Sequence, residues 1–126
     1  MKDFKIIPTK IHGVLDYLTG SLICASPWLF NFNIEGSARE ITVLLGIVTI
    51  VMSAMTNYEL GLFKILTMDT HLLIDILISI FLILSPWIFG FSRYIFLPQV
   101  VFGIIGIGVA LFTDRVPYRR KQSLSI

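Results

Sequence analysis

Two histidine–aspartate pairs hold most of the chemistry this chain is equipped to perform. His12 and Asp16 stand four residues apart, and so do His71 and Asp75. At that spacing the two side chains of a pair share one helix face. Two imidazoles and two carboxylates suit three kinds of work. They can bind one another as interhelical glue that fixes helix rotation. They can form a proton-linked or ion-linked path, because Asp and His inside apolar segments often mark such routes. They can ligate a metal such as zinc or iron. Bis-histidine haem fits less well, since an Asp beside the iron is not expected. No Ser-His-Asp set, glycine-rich phosphate loop or Cys–His pair is present. An enzyme reading therefore has no nucleophile to name, and the chain leans toward a non-enzymatic role. The sequence assigns no cofactor.

These pairs belong to a duplication. His12 and Asp16 are followed by Ser26-Pro27-Trp28, and His71 and Asp75 by Ser85-Pro86-Trp87. All five residues recur 59 positions on. A second pattern follows each motif. Thr42, Gly46, Thr49, Ser53 and Thr56 match Gln99, Gly103, Gly106, Ala110 and Thr113, now 57 positions on. The first repeat covers about 10–57 and the second about 69–114. The two-residue difference falls in the Asn31–Glu40 loop, where changes of length cost little.

The 126 residues are 56% hydrophobic and 14% charged, with a mean hydropathy of +0.86. Soluble domains carry roughly a quarter charged residues. Four long apolar segments span roughly 11–30, 41–56, 71–91 and 95–112. A membrane-crossing helix takes about 20 apolar residues. The first and third segments meet that length, and flanking residues can extend the other two. The expected fold is all-α: a four-helix transmembrane bundle forming a single domain, made of two two-helix repeats. An even number of spans per repeat makes the copies enter the membrane in the same direction, related by an axis along its normal.

Charge sets the expected topology. Lys2, Lys5 and Lys10 precede the first span, and Arg115, Arg119, Arg120 and Lys121 follow the last, in a basic tail over 115–126. Positive residues favour the cytoplasmic side. Both termini are thus expected in the cytoplasm, with the chain a multi-pass protein of the cell membrane. Basic residues beside a span read as topology determinants, not as a nucleic-acid surface. The first span reads as retained rather than cleaved, because Asp16 interrupts it and a full copy recurs later. Cys24 is the only cysteine, so no intrachain disulfide forms.

The spans place the ionisable residues. At about 1.5 Å per residue, Trp28 lies roughly 24 Å beyond His12. Tryptophan prefers membrane interfaces. The tryptophans then sit near the outer interface and the aspartates in the inner leaflet. Phe30, Phe32, Phe89 and Phe91 would extend an aromatic belt. An unpaired carboxylate at the membrane centre costs about 2.5–3.5 kcal/mol on insertion scales. Pairing His12 with Asp75 and His71 with Asp16 across the repeats is one remedy, and same-helix pairing is the other. Either way the pairs face the bundle interior. In Ser-Pro-Trp, proline removes a backbone donor and serine can satisfy the carbonyl so freed. The expectation is a helix kink and interface anchor at Ser26, Pro27, Trp28, Ser85, Pro86 and Trp87.

Gly46, Ser53, Gly103, Gly106 and Ala110 form close-packing stripes that can serve the bundle or a partner. Thr67 or Asp69 is expected to cap the third helix, and Pro8 to enter the first turn of the first. Residues 58–70 read either as an interfacial segment or as an apolar connector. The expected partners are the lipid bilayer, and a second copy or another membrane protein.

With these motifs in view, the chain resembles the SPW-repeat family of small bacterial membrane proteins. The resemblance rests on the two Ser-Pro-Trp triplets, each in the first span of a two-span repeat, and covers nearly all of residues 10–114. It implies a four-helix integral membrane protein. It brings no activity, substrate or cofactor to these positions.

Overall fold

The computed structural model describes residues 5–34 and 36–117. Lys2, Glu35, Arg119, Arg120 and Lys121 lie outside the described residues. Among the described residues four helices run in order: α1 (Thr9–Leu29), α2 (Gly36–Ala54), α3 (Met68–Ile88) and α4 (Leu97–Phe112). Pro8 is the N-cap of α1, one position before the first turn where the sequence puts it. Thr67 caps α3, its side chain accepting from the Thr70 N–H. α2 starts earlier than its apolar stretch, at Gly36. Ala38 on that added turn is fully buried, so packing recruits it.

α1 lies against α2 and α3 against α4, and the two hairpins meet through α2 with α3 and α1 with α4. The glycine stripe works inside each hairpin. A Cβ on Gly46 would lie 2.6 Å from Cys24 Sγ and 2.8 Å from Gly20 O, on α1. A Cβ on Gly103, its counterpart 57 residues on, would run into Ile83 and the Ser79 carbonyl on α3. Small residues here let the backbones approach to a distance no side chain allows.

The Ser-Pro-Trp ends repeat in detail. Pro27 and Pro86 lie inside their helices and cannot donate to Ile23 O and Leu82 O. Ser26 Oγ donates to Ile23 O and Ser85 Oγ to Leu82 O, each at 2.7 Å. The serines thus satisfy the carbonyls the prolines release. Beyond Trp, the chain turns back in a Schellman arrangement. Asn31 and Gly90 have φ of 58° and 75°. The Phe32 N–H then reaches Pro27 O, and the Phe91 N–H reaches Pro86 O, both at 2.8 Å.

That turn corrects the aromatic belt. Phe30 and Phe89 are exposed, but Phe32 and Phe91 point inward and pack together with Ala38. Trp28 and Trp87 remain exposed, at 56% and 54%.

Burial runs opposite to a water-soluble core. Thr9, Thr42, Ser53, Thr56, Gln99 and Thr113 are buried, while Leu18, Leu44, Leu73, Leu77, Ile104 and Leu111 are exposed. Among the described residues two helices, Gly36–Ala54 and Met68–Ile88, are long and apolar enough to cross a membrane. This is fewer than the four spans expected. α1 has the length, but Lys10, His12, Asp16 and its hydroxyl residues dilute it. α4 is strongly apolar but has 16 residues, a rise of about 24 Å against a hydrocarbon core of about 30 Å.

In the connection between hairpins, Leu62, Phe63 and Ile65 are exposed, whereas Tyr58 is completely buried. Tyr58 Oη hydrogen-bonds Ser53 Oγ, and its ring covers Gly13. Burial pushes its phenol above the ordinary tyrosine range.

Candidate functional site

The site forms where the N-terminal halves of α1 and α3 meet. One helical turn separates His12 from Asp16 and His71 from Asp75, so each helix presents an imidazole and a carboxylate on one face. All four residues are buried. The cross-repeat contacts are the short ones. His12 Nε2 lies 2.9 Å from Asp75 Oδ2, and His71 Nε2 lies 2.8 Å from Asp16 Oδ2. The same-helix contacts are close behind, at 3.2 Å for His12 with Asp16 and 3.0 Å for His71 with Asp75. The two Nε2 atoms are 3.3 Å apart. Both pairings open at the sequence level are therefore made at once, in a single quartet.

Two threonines orient the rings, and sequence reasoning missed that role. His12 Nδ1 lies 2.8 Å from Thr113 Oγ1, and His71 Nδ1 lies 2.7 Å from Thr56 Oγ1. Each hydroxyl already donates its only proton to a helix carbonyl: Thr113 to Val109 O and Thr56 to Met52 O, both at 2.6 Å. Each threonine oxygen can then only accept, so both Nδ1 atoms carry a proton. Nε2 of both rings is left to face the carboxylates. The signal was present in sequence, since Thr56 and Thr113 close the duplicated stripe, but that stripe reads as packing.

Each repeat thus supplies the threonine for the other repeat's histidine. The backbone follows the same rule. Isolated bridges join Ile7 to Thr113 and Thr56 to Leu66. Ile7 and Leu66 enter their repeats 59 residues apart, and the threonines leave theirs 57 apart. Further along, Gln99 Nε2 donates to Thr42 Oγ1 at 3.0 Å, joining two equivalent stripe positions. The Ser-Pro-Trp triplets lie at the far ends of α1 and α3, away from the quartet. Gly46, Gly103 and Gly106 serve helix contact, and Ser53 holds Tyr58.

Chemically, the quartet has two consistent states. With a proton on each Nε2, two imidazolium cations alternate with two carboxylates and the sum of charge is zero. With Nε2 lone pairs exposed, the four atoms form a ligand set, and all four donor atoms lie within 4.8 Å of one another. Asp16 and Asp75 also border a cavity of about 40 Å³ between the helices, shared with Thr19, Thr49 and Ser79.

The family model of the SPW repeat domain matches residues 10–113. No curated protein and no solved structure matches the chain.

Proposed function

The chain belongs to the SPW repeat family, a membrane-associated family, and we propose that it is a small non-enzymatic module of the bacterial inner membrane. In this reading all four helices cross the bilayer, both termini face the cytoplasm, and the two hairpins stand side by side in the same direction. The quartet is the junction that fixes one hairpin against the other.

One observation carries the reading: each histidine binds the other repeat's aspartate and the other repeat's threonine. Packing of apolar surface gives little direction to helices already surrounded by apolar lipid, so buried polar contacts specify the pairing. The inverted burial pattern supports a lipid environment, with leucines and isoleucines outward and hydroxyls inward. Exposed Leu62, Phe63 and Ile65 suit a connector lying on a membrane surface. α4 reaches the needed length if Phe96 and Thr113 flank it at the interfaces.

The test is cross-linking across the repeats. Thr42→Cys and Gln99→Cys in a Cys24→Ser background place thiols on a contact remote from the quartet. A short bis-maleimide should join them efficiently in membranes. Adding Asp16→Asn with Asp75→Asn should reduce the yield severalfold. An unchanged yield would refute the quartet as the junction.

A further inference from the structure

We propose that the quartet is a tetrahedral site for one zinc-sized divalent transition-metal ion, held jointly by the two repeats. This rests on reading the quartet as the junction between hairpins and names what that junction takes.

Five edges of the donor polyhedron are known: 2.8, 2.9, 3.0, 3.2 and 3.3 Å. Zinc bonds to His nitrogen and carboxylate oxygen are about 2.0–2.2 Å, which gives tetrahedral edges of about 3.3–3.6 Å. These five edges need to open by only a few tenths of an ångström, while the carboxylate oxygens of Asp16 and Asp75, within 4.8 Å of each other on the sixth edge, draw together to complete the tetrahedron. The cavity of about 40 Å³ beside Asp16 and Asp75 lets the carboxylates move. The rings are already oriented. A metal-binding His characteristically donates its other N–H to a fixed acceptor. Here Thr113 and Thr56 accept from Nδ1, while their own protons are committed to Val109 O and Met52 O. Nε2 of each ring is thereby directed at the centre.

Charge selects the ion. Two neutral imidazoles and two carboxylates sum to minus two, so a divalent ion brings the centre to neutrality. A monovalent ion would leave a net charge buried among apolar helices, which is costly. The donor set of two nitrogens and two oxygens suits zinc and its neighbours, not calcium, which takes six to eight oxygens. Four protein ligands close a tetrahedral shell and leave no position for water or substrate. The ion is then a structural cross-link and not a catalytic one.

The full-length chain in detergent, stripped with chelator and dialysed against zinc chloride, should bind one zinc per chain. Zinc-edge X-ray absorption should show four nitrogen or oxygen neighbours at about 2.0 Å and no sulfur. Cys24→Ser should bind equally well, and Asp16→Asn with Asp75→Asn should bind none. Thr56→Val with Thr113→Val keeps every ligand and should bind about 10–100-fold more weakly. Absence of zinc from the wild type after dialysis against zinc chloride, a sulfur or six-coordinate spectrum, or unchanged affinity in the threonine variant would overturn the site. Failure to bind zinc together with loss of cross-linking in the aspartate variant defeats the ion and leaves the junction standing. Zinc binding with cross-linking untouched defeats the junction.

Discussion

The Nε2 atoms of His12 and His71, 59 residues apart in the chain, face each other at 3.3 Å between two carboxylates. Nothing local brings them together. Each ring is held from behind by a threonine from the other repeat, so the meeting point belongs to both halves and to neither alone.

Removing one carboxylate should be severe. Asp75→Ala or Asp16→Ala leaves the histidines with one acid between them, and breaking a buried charge pair destabilises by about 3–5 kcal/mol. Thermal unfolding in detergent, followed by loss of helical circular dichroism, reads the loss. A drop in the midpoint of only a degree or two would contradict the buried pairing.

The threonine contacts separate orientation from charge. Thr56→Val removes the acceptor for the His71 Nδ1–H at nearly constant volume, and leaving that buried donor unpaired should cost about 1–3 kcal/mol. Thr56→Ser keeps the hydroxyl and should remain close to wild type. The same contrast is expected at Thr113. Equal midpoints for Val and Ser would show that the hydroxyl is irrelevant.

The proline ends give a reversal. Ser26→Ala strips Ile23 O of its donor and should destabilise by about 1 kcal/mol. Adding Pro27→Ala supplies a backbone N–H to the same carbonyl and should recover the loss. Stability of the double variant below that of Ser26→Ala would show that the serine does something other than satisfy this carbonyl.

Gly46→Leu places a large side chain against Cys24 and the Gly20 carbonyl. Overpacking at such a contact costs about 1–3 kcal/mol or more. Gly108, which faces open space, should accept Ala without loss. Parallel unfolding measurements on Gly46→Leu and Gly108→Ala test the assignment of the stripe to the interior of each hairpin, and a tolerant Gly46 would move that stripe to an external partner.

Topology is open to thiol labelling. In a Cys24→Ser background, Asn33→Cys and Arg93→Cys should react with an impermeant maleimide added to intact cells with a permeabilised outer membrane. Phe63→Cys and Arg115→Cys should react only after lysis. The opposite pattern would invert the assigned orientation.

Much of this was legible in the sequence because the duplication writes every polar position twice. That His12, Asp16, His71 and Asp75 satisfy one another inside the bundle follows from four-residue spacing plus the need to partner buried carboxylates, with the cross-repeat and same-helix pairings both left open. Ser26 and Ser85 as partners of proline-freed carbonyls follow from backbone chemistry. Thr56 and Thr113 were visible only as members of a stripe, since their use depends on which helix faces which, and periodicity is silent on that. Phe32 and Phe91 misread as belt residues because the reversal depends on φ at Asn31 and Gly90. Only Gly90 hints at such a turn in the sequence, and Asn31 gives no comparable signal. α4 looked long enough because its flanking residues are apolar, but Pro98 in its first turn and extended backbone at Thr113 confine it to Leu97–Phe112.

Tyr58 has no counterpart. It rests on Gly13 and bonds Ser53, whereas the matching positions in the later half are Leu72 and Ala110, and Arg115 stands where a second tyrosine would be. The halves have therefore specialised. Plug and socket lie in the same half, so a chain built from two copies of the earlier one would carry the lock twice, and a chain built from two copies of the later one would carry none: parts that began as interchangeable no longer are.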